Sequence, residues 1–277
     1  MKILISADME GATGVTWPAD VEPGTEQWQR FRAMFTSDVN AAVAGFFDGG
    51  ATEVLINEAH ASMRNLLLES LDERAAMLTG RHKDLSMVEG IQHGDVDGVA
   101  FVGYHAGAGA DGVLAHTYLP NSITSVVVNG EPASEGWLNT RVAEQYGVPV
   151  ILITGDDRAC SDAAGYAPAA QTVAVKKCVS RYAAVCRPPT ATARDIAAAA
   201  AKATALAVRQ PPAEASAFRV RVEVDAAQLA LAAAIVPGVE RTGVRTVEYE
   251  ATTASEMIRC FKTVCTMISA ATEADYG

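Results

Sequence analysis

The sequence predicts an α/β fold in which a mostly parallel sheet is flanked by helices and a smaller α+β domain follows. Apolar runs alternate with helical patterns over the first half of the chain, which favours parallel strands joined by helices. Later runs alternate polar and apolar residues, as strands with one solvent-exposed face do. At 277 residues the chain can bury a substantial core, in one large domain or in a large and a small one.

The first region is predicted to supply the parallel sheet. Its predicted strands cover 2–7, 53–57, 97–103, 123–129 and 149–154. Its predicted helices lie near 26–48, 62–71 and 134–146. Gly49-Gly50 and Gly147-Val148-Pro149 are predicted to end two of these helices, because glycine readily takes the left-handed conformation that follows a helix.

A second region begins after Pro188-Pro189. Its predicted elements are an Ala-rich helix at 190–208, a strand at 218–224, a helix at 225–234 and a strand within 244–250. We therefore expect a main α/β domain over 1–188 and a smaller α+β domain over 189–277. The boundary is approximate, and the two can be interleaved.

Composition excludes several classes of function. The net charge of -11 argues against nucleic-acid binding, which depends on Lys and Arg displacing counterions from phosphates. The sequence shows neither a signal-peptide pattern nor an apolar run that could span a bilayer, so we expect a cytoplasmic protein without a membrane partner. The five cysteines include no CxxC pair, which predicts packing residues rather than a thiolate metal site or a redox pair.

Polar residues that can bind a metal or act as an acid or base follow four of the predicted strands, at the point where each strand ends. The residues concerned are Asp8 and Glu10 after the first, Glu58 and His60 after the second, Tyr104 and His105 after the third, and Glu131 and Glu135 after the fourth. Because the carboxyl ends of parallel strands share one edge of an open α/β sheet, we expect these side chains to converge there.

The residue types suit a hydrolytic zinc site. Zinc readily binds imidazole nitrogen and carboxylate oxygen, and a carboxylate of the Asp8-Met9-Glu10 pair can be shared between two ions. Two such ions can activate a water and polarise a carbonyl for amide hydrolysis. His116 is a further candidate, as a ligand, a general base or a stabiliser of a tetrahedral intermediate. His82 and His93 lie in polar contexts typical of solvated surface.

Other interpretations remain open for single motifs. Asp8 can be a loop acid and His60 can cap a following helix. The glycines of 107–112 match GxGxxG, the pattern of a nucleotide-binding oxidoreductase, but too few residues separate them from the next strand for a crossover helix. Asp156 or Asp157 is expected to cap the helix that follows.

Five ordered motifs together resemble a known family. They are Ser6-Ala7-Asp8-Met9-Glu10-Gly11, Asn57-Glu58-Ala59-His60 with Met63-Arg64-Asn65-Leu66, Gly103-Tyr104-His105-Ala106, Leu114-Ala115-His116-Thr117, and Asn129-Gly130 followed by Glu135-Gly136. This set resembles D-aminopeptidases of the DppA type, peptidase family M55. The similarity covers nearly the whole chain.

The resemblance implies a binuclear zinc aminopeptidase, with two Zn²⁺ per subunit. Its subunits would form a homo-oligomer of stacked rings, a decamer, and act on short peptides or amides with an N-terminal D-amino acid such as D-alanine. It implies His116 as the catalytic residue and Asp8 as the bridging ligand. The implied metal ligands are Asp8, Glu10, His60, His105 and Glu135.

Two features of the resemblance stay open. This chain has Glu58 where the family usually has Asp, so the geometry around the first histidine ligand can differ. Chirality is read by pocket shape, so a metal-dependent amidohydrolase or an L-aminopeptidase on the same site is an alternative. A non-catalytic peptide-binding protein is a further alternative.

Overall fold

The computed structural model describes residues 1–214 and 216–273 and contains two β-sheets with helices packed on them. The strands are β1 (Lys2–Ala7), β2 (Glu53–Glu58), β3 (Ala75–Leu78), β4 (Gly98–Tyr104), β5 (Ile123–Val128), β6 (Glu131–Pro132), β7 (Val150–Asp156), β8 (Gln171–Ser180), β9 (Ala183–Cys186), β10 (Phe218–Val224), β11 (Glu240–Gly243) and β12 (Thr246–Ala251). The helices are α1 (Pro18–Val21), α2 (Glu26–Asp48), α3 (Glu135–Gln145), α4 (Asp157–Tyr166), α5 (Pro189–Ala203), α6 (Ala227–Ala233) and α7 (Ala254–Ala270). None of the described helices combines the length and the apolar character needed to cross a membrane.

The first sheet has seven strands in the order β3-β2-β1-β4-β7-β8-β9. All neighbours pair in parallel except β8 and β9, which form an antiparallel hairpin at one edge. The central strands are buried on both faces, as the continuous apolar runs of β1 and β4 require. Helices α2 and α5 cover one face and α3 covers part of the other, which confirms the predicted α/β class.

The second sheet is antiparallel, in the order β11-β12-β10-β5-β6. Its β10 buries Val220 and Val222 against α6 and α7 and exposes Arg219 and Arg221. This is the alternation that predicted a strand with one solvated face.

The chain passes between the two sheets more than once. The predicted strand at 123–129 forms as β5, but it pairs with β10 in the second sheet and not with the parallel strands. A short valine run fits a strand buried on both faces and a half-buried antiparallel strand equally well, so the pattern alone could not assign it. Conversely, α5 lies after residue 188 yet packs on α2 of the first layer. A division into domains 1–188 and 189–277 therefore stays a proposal, with interleaved segments.

Two local predictions differ from the structure. The helix expected at 62–71 is a loop with a short 3-10 turn at Leu68–Ser70. The Glu58 carboxylate accepts the backbone N–H groups of Asn65 and Leu66, which a helix would use internally. Helix α7 was not predicted, although its apolar residues recur at the helical spacing.

Candidate metal centre

Six candidate side chains lie close together in the structure: Asp8, Glu10, His60, His105, His116 and Glu135. Asp8 and Glu10 follow β1, and His60 and His105 follow the neighbouring strands β2 and β4. The strand ends are tied together, since the backbone N–H of Asp8 donates to Val102 O over 2.8 Å and that of Ala59 donates to Ala7 O over 2.8 Å.

The other two candidates arrive by routes that the parallel sheet does not provide. His116 lies in the loop between β4 and β5, and Glu135 is the first residue of α3. The side chain of Ser134 caps this helix by accepting from Trp137 N, which fixes the direction in which Glu135 leaves the helix. All six side chains are buried.

One group of possible ligands contains Asp8, Glu10 and His60. The Nδ1 atom of His60 lies 2.9 Å from Glu10 Oε2 and 3.5 Å from Asp8 Oδ1. A second group contains Asp8, His105 and Glu135. There Nε2 of His105 lies 3.3 Å from Asp8 Oδ2 and 3.6 Å from Glu135 Oε2. The two oxygens of Asp8 therefore face different histidines, which is the position of a bridging carboxylate.

His116 stands between the two groups. Its Nε2 atom lies 3.8 Å from Glu10 Oε1 and 3.8 Å from Glu135 Oε1, and its ring stacks on His105 with centroids 4.1 Å apart. Ligand atoms of Glu10, His105 and His116 also come within 4.8 Å of one another. The geometry thus permits His116 to ligate a metal as well as to act on a substrate.

Backbone carbonyls orient all three imidazoles. One ring nitrogen of each histidine donates to a carbonyl oxygen, because that oxygen can only accept. The partners are Val21 O for His60 Nε2, Ala106 O for His105 Nδ1 and Leu114 O for His116 Nδ1, at 2.8, 2.9 and 2.8 Å. The other nitrogen of each ring is left facing the carboxylates, as in histidines that bind metals.

The electrostatics of the cluster call for positive charge. Burial alone would lower the pKa of His60 and His105, but the surrounding carboxylates raise both pKa values well above the ordinary range. Burial would raise the pKa of Asp8 and of Glu10. His105 and His60 nevertheless lower the pKa of Asp8, and His60 and His116 lower that of Glu10. Burial and the nearby His105 lower the pKa of His116, so this ring is neutral near neutral pH.

Three buried atoms of the cluster have no hydrogen-bond partner among the described residues. They are Asp8 Oδ2, Glu10 Oε2 and His105 Nε2. Buried polar atoms are rarely left unpaired. Here Asp8 Oδ2 and His105 Nε2 face each other over 3.3 Å, and Glu10 Oε2 faces His60 Nδ1 over 2.9 Å. Together with the mixed oxygen and nitrogen donors, they fit a site for divalent zinc.

Backbone conformation also distinguishes the segments that carry the histidines. Ala61 and Met63 follow His60 with φ values of 45° and 57°. Leu114 and Tyr118 flank His116 with φ values of 52° and 61°. Non-glycine residues rarely adopt such values, and strain of this kind concentrates at functional sites.

One glycine brings two of the strand ends into contact. Gly103 has a φ of 78°, and a Cβ there would lie 2.0 Å from Asp8 O. Only glycine allows this approach of β4 to the residue that faces both histidines.

Several residues support the centre in ways that the sequence analysis did not predict. Tyr118 donates its backbone N–H to Glu135 Oε1 over 2.6 Å, a contact that no residue type announces. Glu58 belongs to neither group of possible metal ligands. Its carboxylate instead accepts a hydrogen bond from the loop that follows His60, and Lys83 donates to its backbone carbonyl over 2.7 Å. Lys176 is buried and donates to the carbonyl oxygen of Glu10, a contact that the sequence analysis did not predict.

The remaining motifs lie outside the centre. No helix opens at the glycines of 107–112, so the nucleotide-binding interpretation has no structural basis there. Asp156 caps α4 by accepting from Ala159 N, as expected. His82, His93 and Glu131 are exposed.

Comparison with known proteins places this geometry in context. The model of a peptidase family, Peptidase_M55, described as D-aminopeptidase, matches residues 1–263. A curated D-aminopeptidase from Bacillus subtilis (strain 168) is 38% identical over 194 residues, which are 70% of this chain and 70% of that protein. A solved structure, the Zn-dependent D-aminopeptidase DppA from Bacillus subtilis, a self-compartmentalizing protease, superposes with a TM-score of 0.93 at 32% identity. The superposition covers 99% of this chain and 100% of the chain of that structure.

Proposed function

Because this chain belongs to peptidase family M55, the D-aminopeptidases, we propose that it is a zinc-dependent aminopeptidase. Its substrates would be short peptides or amides with a free N-terminal D-amino acid such as D-alanine. The observation that carries the proposal is the meeting of Asp8, Glu10, His60, His105 and Glu135 in two ligand groups that share Asp8.

The proposed ligands divide between two zinc ions. Asp8, Glu10 and His60 would hold one ion and Asp8, His105 and Glu135 the other, with Asp8 as the bridge. When bound, zinc would polarise the scissile carbonyl and lower the pKa of the attacking water. The chain's own contribution is to hold the imidazoles in the required tautomers and to keep the carboxylates ionised.

His116 is proposed to move the proton. Its Nδ1–H donates to Leu114 O, so the neutral ring presents the Nε2 lone pair towards Glu10 and Glu135. From there it can accept a proton from the attacking water and return one to the leaving amine, or donate to the tetrahedral oxyanion. Its lowered pKa keeps it available as a base at neutral pH.

Assembly and location complete the proposal. The structural relative is described as self-compartmentalizing, which supports a homo-oligomer, and we propose two stacked rings forming a decamer. The described cysteines are all free, which suits a reducing compartment and supports the cytoplasm.

The test is hydrolysis of matched D-alanine and L-alanine amides by the purified protein, before chelation, after it, and after zinc is restored. We expect cleavage of the D-amide that disappears on chelation and returns with zinc. Activity indifferent to chelation would refute the metal-dependent function. Preference for the L-amide would reassign the stereospecificity, and zinc and peptide binding without turnover would indicate a non-catalytic binding protein. His82→Ala, at an exposed histidine, serves as the control variant.

A further inference from the structure

Lys176 is a buried lysine whose ammonium group is surrounded by main-chain oxygens. It lies on β8 with a relative exposure of 1%. Its Nζ donates to the carbonyl oxygens of Glu10, Ala12 and Val15 over 2.6, 2.9 and 2.7 Å. All three ammonium hydrogens are therefore used on one short segment.

That segment, residues 10–15, connects the end of β1 with α1 and carries Glu10 at its start. It has no regular secondary structure, so its carbonyl groups need partners from elsewhere. A second anchor lies at its middle, where Asp38 of α2 accepts from Thr13 N over 2.8 Å and Thr13 Oγ1 over 2.9 Å. Lys176 is the anchor that reaches the residue facing His60.

Burying the charged ammonium group of Lys176 costs free energy of hydration. Among the described residues, no carboxylate oxygen lies within 4.0 Å of Nζ, so no direct ion pair compensates for the lost hydration. The compensation comes from the three carbonyl dipoles of the segment. Hydrogen bonds to the segment therefore replace the water around the ammonium group, and they fix the conformation of the loop.

We propose that Lys176 is a positioning residue for the metal ligand Glu10. By gathering the three carbonyls it sets the main-chain direction at Glu10, so that one carboxylate oxygen faces His60 Nδ1 and the other faces His116 Nε2. The inference rests on the proposed zinc function, since it assigns the lysine a task towards that metal.

Lys176 could affect zinc binding through its charge or by positioning Glu10, and the two roles predict opposite changes in zinc affinity when the lysine is replaced. Removing a positive charge beside Glu10 would by itself strengthen the binding of a divalent cation. Releasing the loop would weaken it, because loss of a partner that orients a metal ligand typically costs about 10- to 100-fold in metal affinity. The sign of the change in zinc affinity therefore separates the two roles.

The experiment compares Lys176→Met, Lys176→Arg and Leu229→Ala with the unmodified chain. Leu229 is buried in α6, which packs on α7, β10 and β12, so its truncation lowers stability away from the centre. Zinc affinity is measured by competition with a chromophoric chelator, and the visible spectrum of the cobalt-loaded proteins reports ligand geometry. Circular dichroism establishes that each variant is folded.

We expect Lys176→Met to lose about tenfold or more in zinc affinity and to alter the cobalt spectrum. Lys176→Arg, which keeps the charge and donors but not the compact ammonium, should show a smaller loss, and Leu229→Ala should bind zinc normally. Unchanged or tighter binding in a folded Lys176→Met would overturn the proposal. Should Lys176→Met fail to fold, normal affinity and spectrum in Lys176→Arg would overturn it. Failure of the unmodified chain to bind zinc would instead refute the proposed function.

Discussion

Three buried histidines in one cluster differ in charge because each faces a different set of neighbours. His60 and His105 each have two carboxylates within 3.6 Å, which raise the pKa of both rings. His116 has its carboxylates at 3.8 Å and His105 stacked on it, and burial together with the charge of His105 lowers its pKa. This difference agrees with the proposal that His60 and His105 ligate metal and that His116 carries a proton.

Replacing His116 by alanine separates these roles. We expect His116→Ala to retain two zinc ions and to lose about 10²- to 10⁴-fold in kcat, the range for removal of a general acid or base. Metal content of the purified variant and its kinetics on the D-alanine amide provide the measurement. His93→Ala, at an exposed histidine, is the control. Loss of a zinc equivalent from His116→Ala would make it a ligand with Glu10 and His105 instead.

Asp38 gives stability a pH dependence that can be measured apart from catalysis. Burial raises the pKa of Asp38 to about 6, against the hydrogen bonds from Thr13 that lower it. The folded state therefore binds the proton more tightly than the unfolded chain does. The contribution of protonated Asp38 to the free energy of unfolding is fully present below the pKa of the unfolded chain, near 3.8. It is lost as the pH rises through about 6.

Asp38→Asn should remove this dependence, because asparagine is isosteric and does not ionise. Relative to the variant, the unmodified chain should lose up to about 3 kcal/mol of unfolding free energy between pH 4 and pH 7. Urea denaturation of both chelated proteins across this range measures the difference, and groups common to both cancel. A difference that stays constant with pH would contradict the assignment.

At the scale of elements, the sequence predicted what local signals determine. The bounds of α2 at 26–48 were predictable because Thr25 caps its start and glycines follow its end. The loop at 62–71 was not, because its conformation depends on Glu58 accepting two of its N–H groups. The sheet to which β5 belongs was not predictable either, because its partner β10 lies some ninety residues away in sequence.

Helix α4 depends on a single carboxylate at its start. Asp156 accepts from Ala159 N over 2.7 Å and from Val113 N, also over 2.7 Å, so it joins the helix to the loop before His116. Asp156→Ala removes a cap, which costs about 0.5–2 kcal/mol, and leaves a buried N–H unpaired at a further cost of about 1–3 kcal/mol.

We therefore expect Asp156→Ala to lower the unfolding free energy by about 2 kcal/mol or more, measured by chemical denaturation. Glu73→Ala, at an exposed acid, should change it by no more than about 0.5 kcal/mol. Equal stability of the two variants would mean that water replaces both contacts of Asp156.

At the scale of the whole molecule, the centre lies where the two layers meet. β1, β2 and β4 of the first sheet supply four of the candidate side chains, and Glu135 follows β6 of the second. Tyr118, which donates to Glu135, also packs edge-on against Phe261 of α7 with centroids 5.1 Å apart. Strand ends predicted both contributions, but they placed the strand before Glu135 in the parallel sheet. The route of the chain to Glu135 through β5 and β6 depends on a crossover between sheets that no local pattern shows.

A centre built from both layers should make zinc a stabiliser of the entire fold. Ligands drawn from residues 8 to 135 come together only in the folded chain, so zinc binds the native state in preference to the unfolded one. Free zinc at 100 times its Kd should then raise the unfolding free energy by about 2.7 kcal/mol for each site. The measurement is thermal or urea unfolding of the chelated protein with zinc added, with magnesium as the ion control. His60→Ala should lose much of the gain and His82→Ala none of it. An unchanged unfolding midpoint in protein that carries two zinc ions would contradict the prediction, because it would show that the unfolded chain binds zinc as tightly as the native state does.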